Sequence, residues 1–151
     1  MKKETVGRGF RVPGFTTAGI FCGIKTNKQK DLALIFSEEP SVAAGLFTSN
    51  QVVSPTITWC QEILKSSKRF RAIVVNSGNA NACTGPKGME DCKSLASKLS
   101  QKLSVEPKEI LIASTGIIGV PLPINKIVKA LPALSSKLSP IGWVSSAEAI
   151  M

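Results

Sequence analysis

Two apolar runs that each break into small polar residues and glycine constrain this chain more than any other feature. Arg71-Ala72-Ile73-Val74-Val75 leads into Asn76-Ser77-Gly78-Asn79-Ala80-Asn81-Ala82-Cys83-Thr84-Gly85, and Ile110-Leu111-Ile112-Ala113 leads into Ser114-Thr115-Gly116-Ile117-Ile118-Gly119. Short apolar runs bounded by such signals read as strands. A strand that ends in glycine and hydroxyl residues presents N–H groups and hydroxyls in the open, an arrangement suited to a developing negative charge. The sequence contains no histidine and no tyrosine. Chemistry at these strand ends must therefore run on hydroxyls, thiols, carboxylates, amines or backbone dipoles.

A length of 151 residues fits a single domain spanning 1–151, and 43% hydrophobic against 19% charged residues describes an ordinary globular chain. The excess of 19 basic over 10 acidic residues gives a net charge of +9. Such a surface can attract nucleic acid, an acidic membrane or small anions. The charges are scattered, however, and the densest group (Lys65, Lys68, Arg69 and Arg71) lies at the end of an expected helix, where cations complement the dipole. The reading is a solvated lysine-rich surface, with no nucleic-acid and no membrane partner. Met1-Lys2-Lys3-Glu4 is not followed by the apolar core of a signal peptide, and no stretch is long enough to span a bilayer. The expected compartment is cytoplasmic.

Along the chain, Gly19 to Lys25, Asp31 to Phe36 and Val42 to Phe47 read as strands of a meander, with turns at Thr26 to Lys30 and Ser37 to Pro40. Ser54-Pro55 opens a helix, with serine as N-cap and proline at the first helical position. A strand follows over Phe70 to Val75. Gly88 precedes a helix reaching about Leu103, with Met89, Cys92, Leu95, Ala96, Leu99 and Leu103 on one face. A strand over Ile110 to Ala113 comes next, then a helix from Ile124 that Pro132 should end or kink. Trp143 to Met151 reads as a last helix, and its apolar end looks cut rather than finished. The class is mixed α/β (α+β), with β-sheets flanked by helices.

Thr115 and Gly116 are the candidate site residues. The threonine hydroxyl and the glycine N–H could form an oxyanion hole, in which one donor contributes roughly 3 kcal/mol. On spacing alone a plain strand-to-loop turn is the commoner meaning of Ser-Thr-Gly. The three asparagines Asn76, Asn79 and Asn81 read as a rigid wall of a site, pinned to itself through Asx-turns. Cys83 stands before a helix, yet no histidine exists to serve as its base, so it reads as a small buried residue. Cys22, Cys60 and Cys92 read as reduced structural thiols, and no metal site is expected. Glu38-Glu39 reads as solvated surface, and Glu90-Asp91 as first-turn helix acids.

Taken in order, the segments resemble the ornithine acetyltransferase family, the bifunctional glutamate N-acetyltransferases of arginine biosynthesis. The matching stretches are Gly14 to Ile20 with Gly23-Ile24-Lys25, Asp31 to Ile35, Ala43 to Asn50, Ala72 to Gly85, Ala113 to Gly119 and Ala147 to Met151. The resemblance implies a precursor that cleaves itself before an internal threonine, giving an α and a β chain that assemble two by two. The new terminal threonine would be the nucleophile. It moves an acetyl group from N-acetylornithine to glutamate, and some members also accept acetyl-CoA; no other cofactor is implied. The implied oxyanion pair is Thr115 and Gly116. A threonine with a free α-amine carries its own base, which suits a chain without histidine. The stretch that follows Met151 in the family (Thr-Thr-Asp-Thr), a later substrate-contacting lysine and the Ala-Thr-Met-Leu cleavage site are all missing from these residues. The resemblance thus implies an amino-terminal, α-chain-like portion truncated before the nucleophile and incomplete without the carboxyl-terminal half. The alternatives are an inactive remnant and a non-enzymatic basic binding module.

Overall fold

The computed structural model describes residues 10–151; the amino-terminal stretch Met1 to Glu4 lies outside them. A sheet of β1 (Phe15–Ile20), β2 (Leu32–Ser41), β3 (Phe70–Asn79) and β4 (Ile110–Ile117) has the order β1-β2-β3-β4. β1 to β3 pair antiparallel and β4 joins β3 in parallel, with Val74 opposite Ile112 and Ser77 opposite Thr115. The parallel pair needs a crossover, and this is α2 (Gly85–Leu103). The other helices are α1 (Pro55–Ser66), α3 (Ile124–Ser136) and α4 (Trp143–Ile150).

Side chains alternate between the two faces of a sheet, and the faces differ here. Ala18, Ile20, Leu32, Leu34, Ala72, Val74, Ile110 and Ile112 point to one side. They form one core with Cys60 and Ile63 of α1, Leu95 and Leu99 of α2, and Ile127 and Leu131 of α3. On the other side, α4 lies close against β1: a Cβ at Gly19 would overlap the carbonyl of Ser145. Over β3 and β4 this second face is open, and Ile73 is 37% exposed in the middle of a central strand. The outer edge of β4 is occupied by α1. Trp59 Nε1 donates to the Ile110 carbonyl at 3.0 Å, and the Cys60 thiol donates to the Ile112 carbonyl at 3.2 Å. An edge so covered offers little to a pairing strand.

Several expectations need correction. β1 ends at Ile20 rather than Lys25, because Asp31 draws the following backbone into a loop. Residues 37–40 belong to β2, with an irregularity in register between Phe36 and Ser41, instead of forming a turn. Val42 to Phe47 is not a strand; neighbours already occupy the ladders, and Leu46 is fully exposed. β3 and β4 run on through Asn79 and Ile117 into the polar segments. α3 passes through Pro132, whose ring sits on the exposed side. Ser54 does not cap α1 with its side chain and bonds Thr56 Oγ1 instead. α2 begins at Gly85, which puts Glu90 and Asp91 beyond its first turn; Asp91 is buried and pairs with Lys87.

Candidate functional site

In an open α/β sheet, ligands meet the carboxyl ends of the parallel strands. β3 and β4 bring Asn76 to Asn79 beside Ser114 to Ile117 at that end. The two segments are closely joined. Ser114 donates to Asn76 Oδ1 at 2.7 Å, and Asn76 Nδ2 donates to the Asn79 carbonyl at 2.7 Å. Asn79 accepts from the Asn81 N–H at 2.8 Å and donates to the Val120 and Pro121 carbonyls at 3.1 and 3.2 Å. Asn81 accepts from the Thr84 hydroxyl and donates to the Gly88 carbonyl at the start of α2. The asparagines are therefore buried ties holding both strand ends and a helix.

Gly78 and Gly116 face each other in register, with φ of +96° and +133°. A Cβ on Gly116 would overlap the carbonyl carbon of Gly78. Two backbones can approach this closely only without side chains. Thr115 and Gly116 are exposed, and they lie within β4, which runs on to Ile117, rather than past its end. By alternation Thr115 shares the open face with Ala113 and Leu111, beside Ser77 of β3. Ser77 is buried and donates to the Ala149 carbonyl at 2.7 Å, which docks the end of α4 at the same strand ends.

An apolar cavity of about 300 Å³ opens next to these residues. It is lined by Phe47, Ile57, Leu64, Ile73, Leu111 and Ser114 among others, but not by Thr115 or Gly116. The candidate donors stand on open surface beside it.

Two further features were invisible in the sequence. Asp31 is fully buried, and its carboxylate accepts from the N–H groups of Cys22, Gly23, Ile24 and Lys25 at 2.6–3.1 Å. The loop so gathered lies against the site: a Cβ on Gly78 would come within 3.0 Å of Ile24 and 3.2 Å of Lys25. The Lys25 ammonium in turn donates to the Met151 carbonyl. An aspartate before an apolar strand was the only signal available, and the four bonds depend on a turn the residue types do not specify.

All four cysteines are free. Burial, with the Asp31 carboxylate nearby, pushes the Cys22 thiol up to about 12; burial raises Cys60, and pushes Cys92 up to about 12. These three are protonated at neutral pH and inert as nucleophiles. Cys83 is exposed rather than buried, because it occupies a left-handed turn with φ of +56° ahead of α2. Among the described residues no group of His, Cys, Asp or Glu is placed to hold a metal, and no helix is long and apolar enough to cross a membrane.

The arrangement recurs in known proteins. The chain is 47% identical over 138 residues to the arginine biosynthesis bifunctional protein ArgJ of Caldanaerobacter subterraneus, and 44% identical to that of Streptomyces coelicolor. These matches cover 91% of this chain but 34% and 36% of the relatives, so it spans about a third of the length of the curated relatives it matches. The crystal structure of ornithine acetyltransferase complexed with ornithine from Mycobacterium tuberculosis superposes with a TM-score of 0.88 at 39% identity. It covers 92% of this chain and 76% of that one. ArgJ of Bacillus halodurans gives 0.85 at 33%, covering 91% and 72%. With the ArgJ family profile matching residues 16–151, from the start of β1 to the end of the chain, this protein belongs to the ArgJ family.

Proposed function

We propose that this chain is the oxyanion-donating, amino-terminal portion of an acetyltransferase of arginine biosynthesis. It would work in the cytoplasm with a β chain or carboxyl-terminal half, two of each in the assembly. That partner brings an amino-terminal threonine, whose α-amine takes the proton from its own hydroxyl as the oxygen attacks the acetyl carbonyl of N-acetylornithine. The carbonyl oxygen becomes anionic and is received by the Thr115 hydroxyl and the Gly116 N–H. The C–N bond breaks and ornithine leaves as its amine takes the hydroxyl proton from the α-ammonium. The acetyl group rests on the threonine as an ester. The glutamate amine attacks this ester, gives up a proton and releases the threonine hydroxyl; acetyl-CoA could serve as donor in the same way.

The observation that supports this most is the pose of Thr115. It is exposed at the carboxyl end of a parallel strand, on the open face, with its backbone held by the Gly78–Gly116 contact and by the Asn76–Ser114 bond. An oxyanion donor needs that combination of access and rigidity. The test co-expresses this chain with the two thirds of the Caldanaerobacter relative that it does not match, and follows acetyl transfer from N-acetylornithine to glutamate. Thr115→Ala should lower kcat by about a hundredfold or more. Full activity in that variant, or turnover by this chain alone, would overturn the proposal.

A further inference from the structure

Asp31 is a buried acid that the proposed acyl transfer leaves unused. It is fully enclosed, and among the described residues no lysine or arginine forms an ion pair with it. A buried carboxylate without a cation is costly unless hydrogen bonds replace the water it has lost. Here the backbone replaces it. Oδ1 accepts from the Cys22 N–H at 2.6 Å, and Oδ2 accepts from Gly23, Ile24 and Lys25 at 3.1, 2.6 and 2.9 Å. Bonds to a charged acceptor are roughly twice as strong as neutral ones, so these four residues are fastened more firmly than an ordinary turn. On the outer side, Lys126 at the start of α3 donates to the Gly23 carbonyl at 2.7 Å. Asp31 also reaches the strand ends through its own backbone. Its N–H donates to the Ile20 carbonyl at 2.9 Å, and its carbonyl accepts from the Ser77 N–H at 2.9 Å. Ser77 is the register partner of Thr115, and Gly78 is that of Gly116. The loop backs Gly78, since a Cβ there would come within 3.0 Å of Ile24 and 3.2 Å of Lys25.

We infer that Asp31 is a positioning residue for the acyl-transfer site. Its carbonyl holds Ser77 beside Thr115, and its carboxylate holds the Cys22 to Lys25 loop against Gly78 beside Gly116. Together these contacts set where the Thr115 hydroxyl and the Gly116 N–H stand. Asp31 touches neither substrate nor reacting atoms and acts only through these neighbours. This deepens the proposed function and rests on it for the reaction, while the link from Asp31 to the two strand ends stands on the contacts alone. The β3–β4 ladder cannot supply the same support. Its register shifts after Gly78, where Asn79 pairs with both Thr115 and Ile117. A ladder that loses its regular spacing at the donors leaves their placement to whatever packs behind them. Placement matters there, because preorganised donors act on a charge at one point in space, and a misplacement of about 1 Å can cost about a hundredfold in rate.

The test compares wild type with Asp31→Asn, Ile24→Ala and, as control, the exposed Glu39→Ala. Asp31→Asn can keep the three bonds to one oxygen and loses that of Cys22, so the loop is loosened rather than released. Ile24→Ala leaves Asp31 whole and removes a side chain that backs Gly78. In amide NMR spectra of this chain, D31N and I24A should move the Thr115 and Gly116 signals, and E39A should not. In the complex co-expressed with the unmatched two thirds of the Caldanaerobacter relative, D31N should lower kcat about tenfold per folded protein, with KM unchanged within about twofold. In a Thr115→Ala background the same change should cost less than about threefold, because the donor it places is gone. Thr115 and Gly116 signals that stay in place in D31N overturn the inference. So does an equal loss of kcat in the two backgrounds, which would make Asp31 a stabiliser of the fold and nothing more. Where D31N fails to fold, I24A carries the same two tests. A wild-type complex without acetyl transfer sinks the proposed function instead, and the amide signals alone then decide whether Asp31 holds the two strand ends.

Discussion

Ser114 donates its hydroxyl hydrogen to Oδ1 of Asn76 across the parallel pair at 2.7 Å, one residue before Thr115. Asn76 is 2% exposed and spends its amide nitrogen on the Asn79 carbonyl, so one side chain ties the end of β4 to the end of β3. Replacing Asn76 with alanine leaves two polar groups without partners and should cost about 1–3 kcal/mol in urea unfolding. Asn76→Asp gives a pH signature. The buried carboxylate would face a carbonyl, so its folded pKa would rise above the ordinary value of about 4. The folded state then holds a proton that the unfolded state has lost, and stability falls as pH increases above about 4. A flat difference between N76D and wild type across that range would contradict the buried, carbonyl-facing position.

Asp31 should be the least replaceable acid in the chain. Its carboxylate is the partner of four successive N–H groups, and Asp31→Ala leaves them all unserved in a half-buried loop. A loss of about 3 kcal/mol or more is expected. Three of the four N–H groups meet Oδ2 and only that of Cys22 meets Oδ1, so Asp31→Asn can keep three of the bonds while its amide faces the Cys22 N–H, and it should recover part of that loss. Exposed Glu39→Ala should change stability by less than about 0.5 kcal/mol.

The strands were legible where apolar residues run without interruption, as in Leu32 to Phe36, Ala72 to Val75 and Ile110 to Ala113. Their ends were not. Asn76 to Asn79 and Ser114 to Ile117 look like loop, but the ladder is made by the backbone and survives wherever polar side chains find each other, as Asn76 and Ser114 do. Val42 to Phe47 has strand-like composition and is bare, because a strand needs a neighbour as well as a pattern. Thr115 and Gly116 stand out in the sequence as a Thr-Gly after an apolar run, but the place of Thr115 on the uncovered face does not, since alternation becomes informative only once register is known. Asp31 was missed altogether, because its four bonds are formed by a loop folding back rather than by spacing.

Thiol chemistry separates the cysteines. Ellman's reagent at pH 8 should modify Cys83 alone in the native chain and all four thiols in guanidinium. Cys22 and Cys92 are held protonated to about 12, above the ordinary value of 9.0. Between those limits the unfolded chain has lost protons that the folded chain retains, so stability should fall as pH rises through 9 toward 12. Cys92→Ala should weaken that slope, at the cost of a small cavity in the core. Rapid native labelling of Cys92 would contradict its burial.

Glycine at 116 answers to two demands that can be separated. Its φ of +133° is unfavourable for any side chain, and a Cβ there would overlap the backbone of Gly78. Gly119 meets only the first: φ is +79° and nothing lies within 4 Å of an added Cβ. Gly119→Ala should therefore cost about 1 kcal/mol, the ordinary penalty of left-handed backbone. Gly116→Ala should cost distinctly more, about 3 kcal/mol or beyond, because β3 and β4 must part to admit the methyl group. That parting would also displace the neighbouring Thr115, so in the completed enzyme G116A should lower kcat well beyond any loss of folded protein, while G119A should not. Equal urea midpoints for the two variants would mean that the strands are not held together by the absence of side chains, and the rigidity ascribed to Thr115 would lose its structural cause.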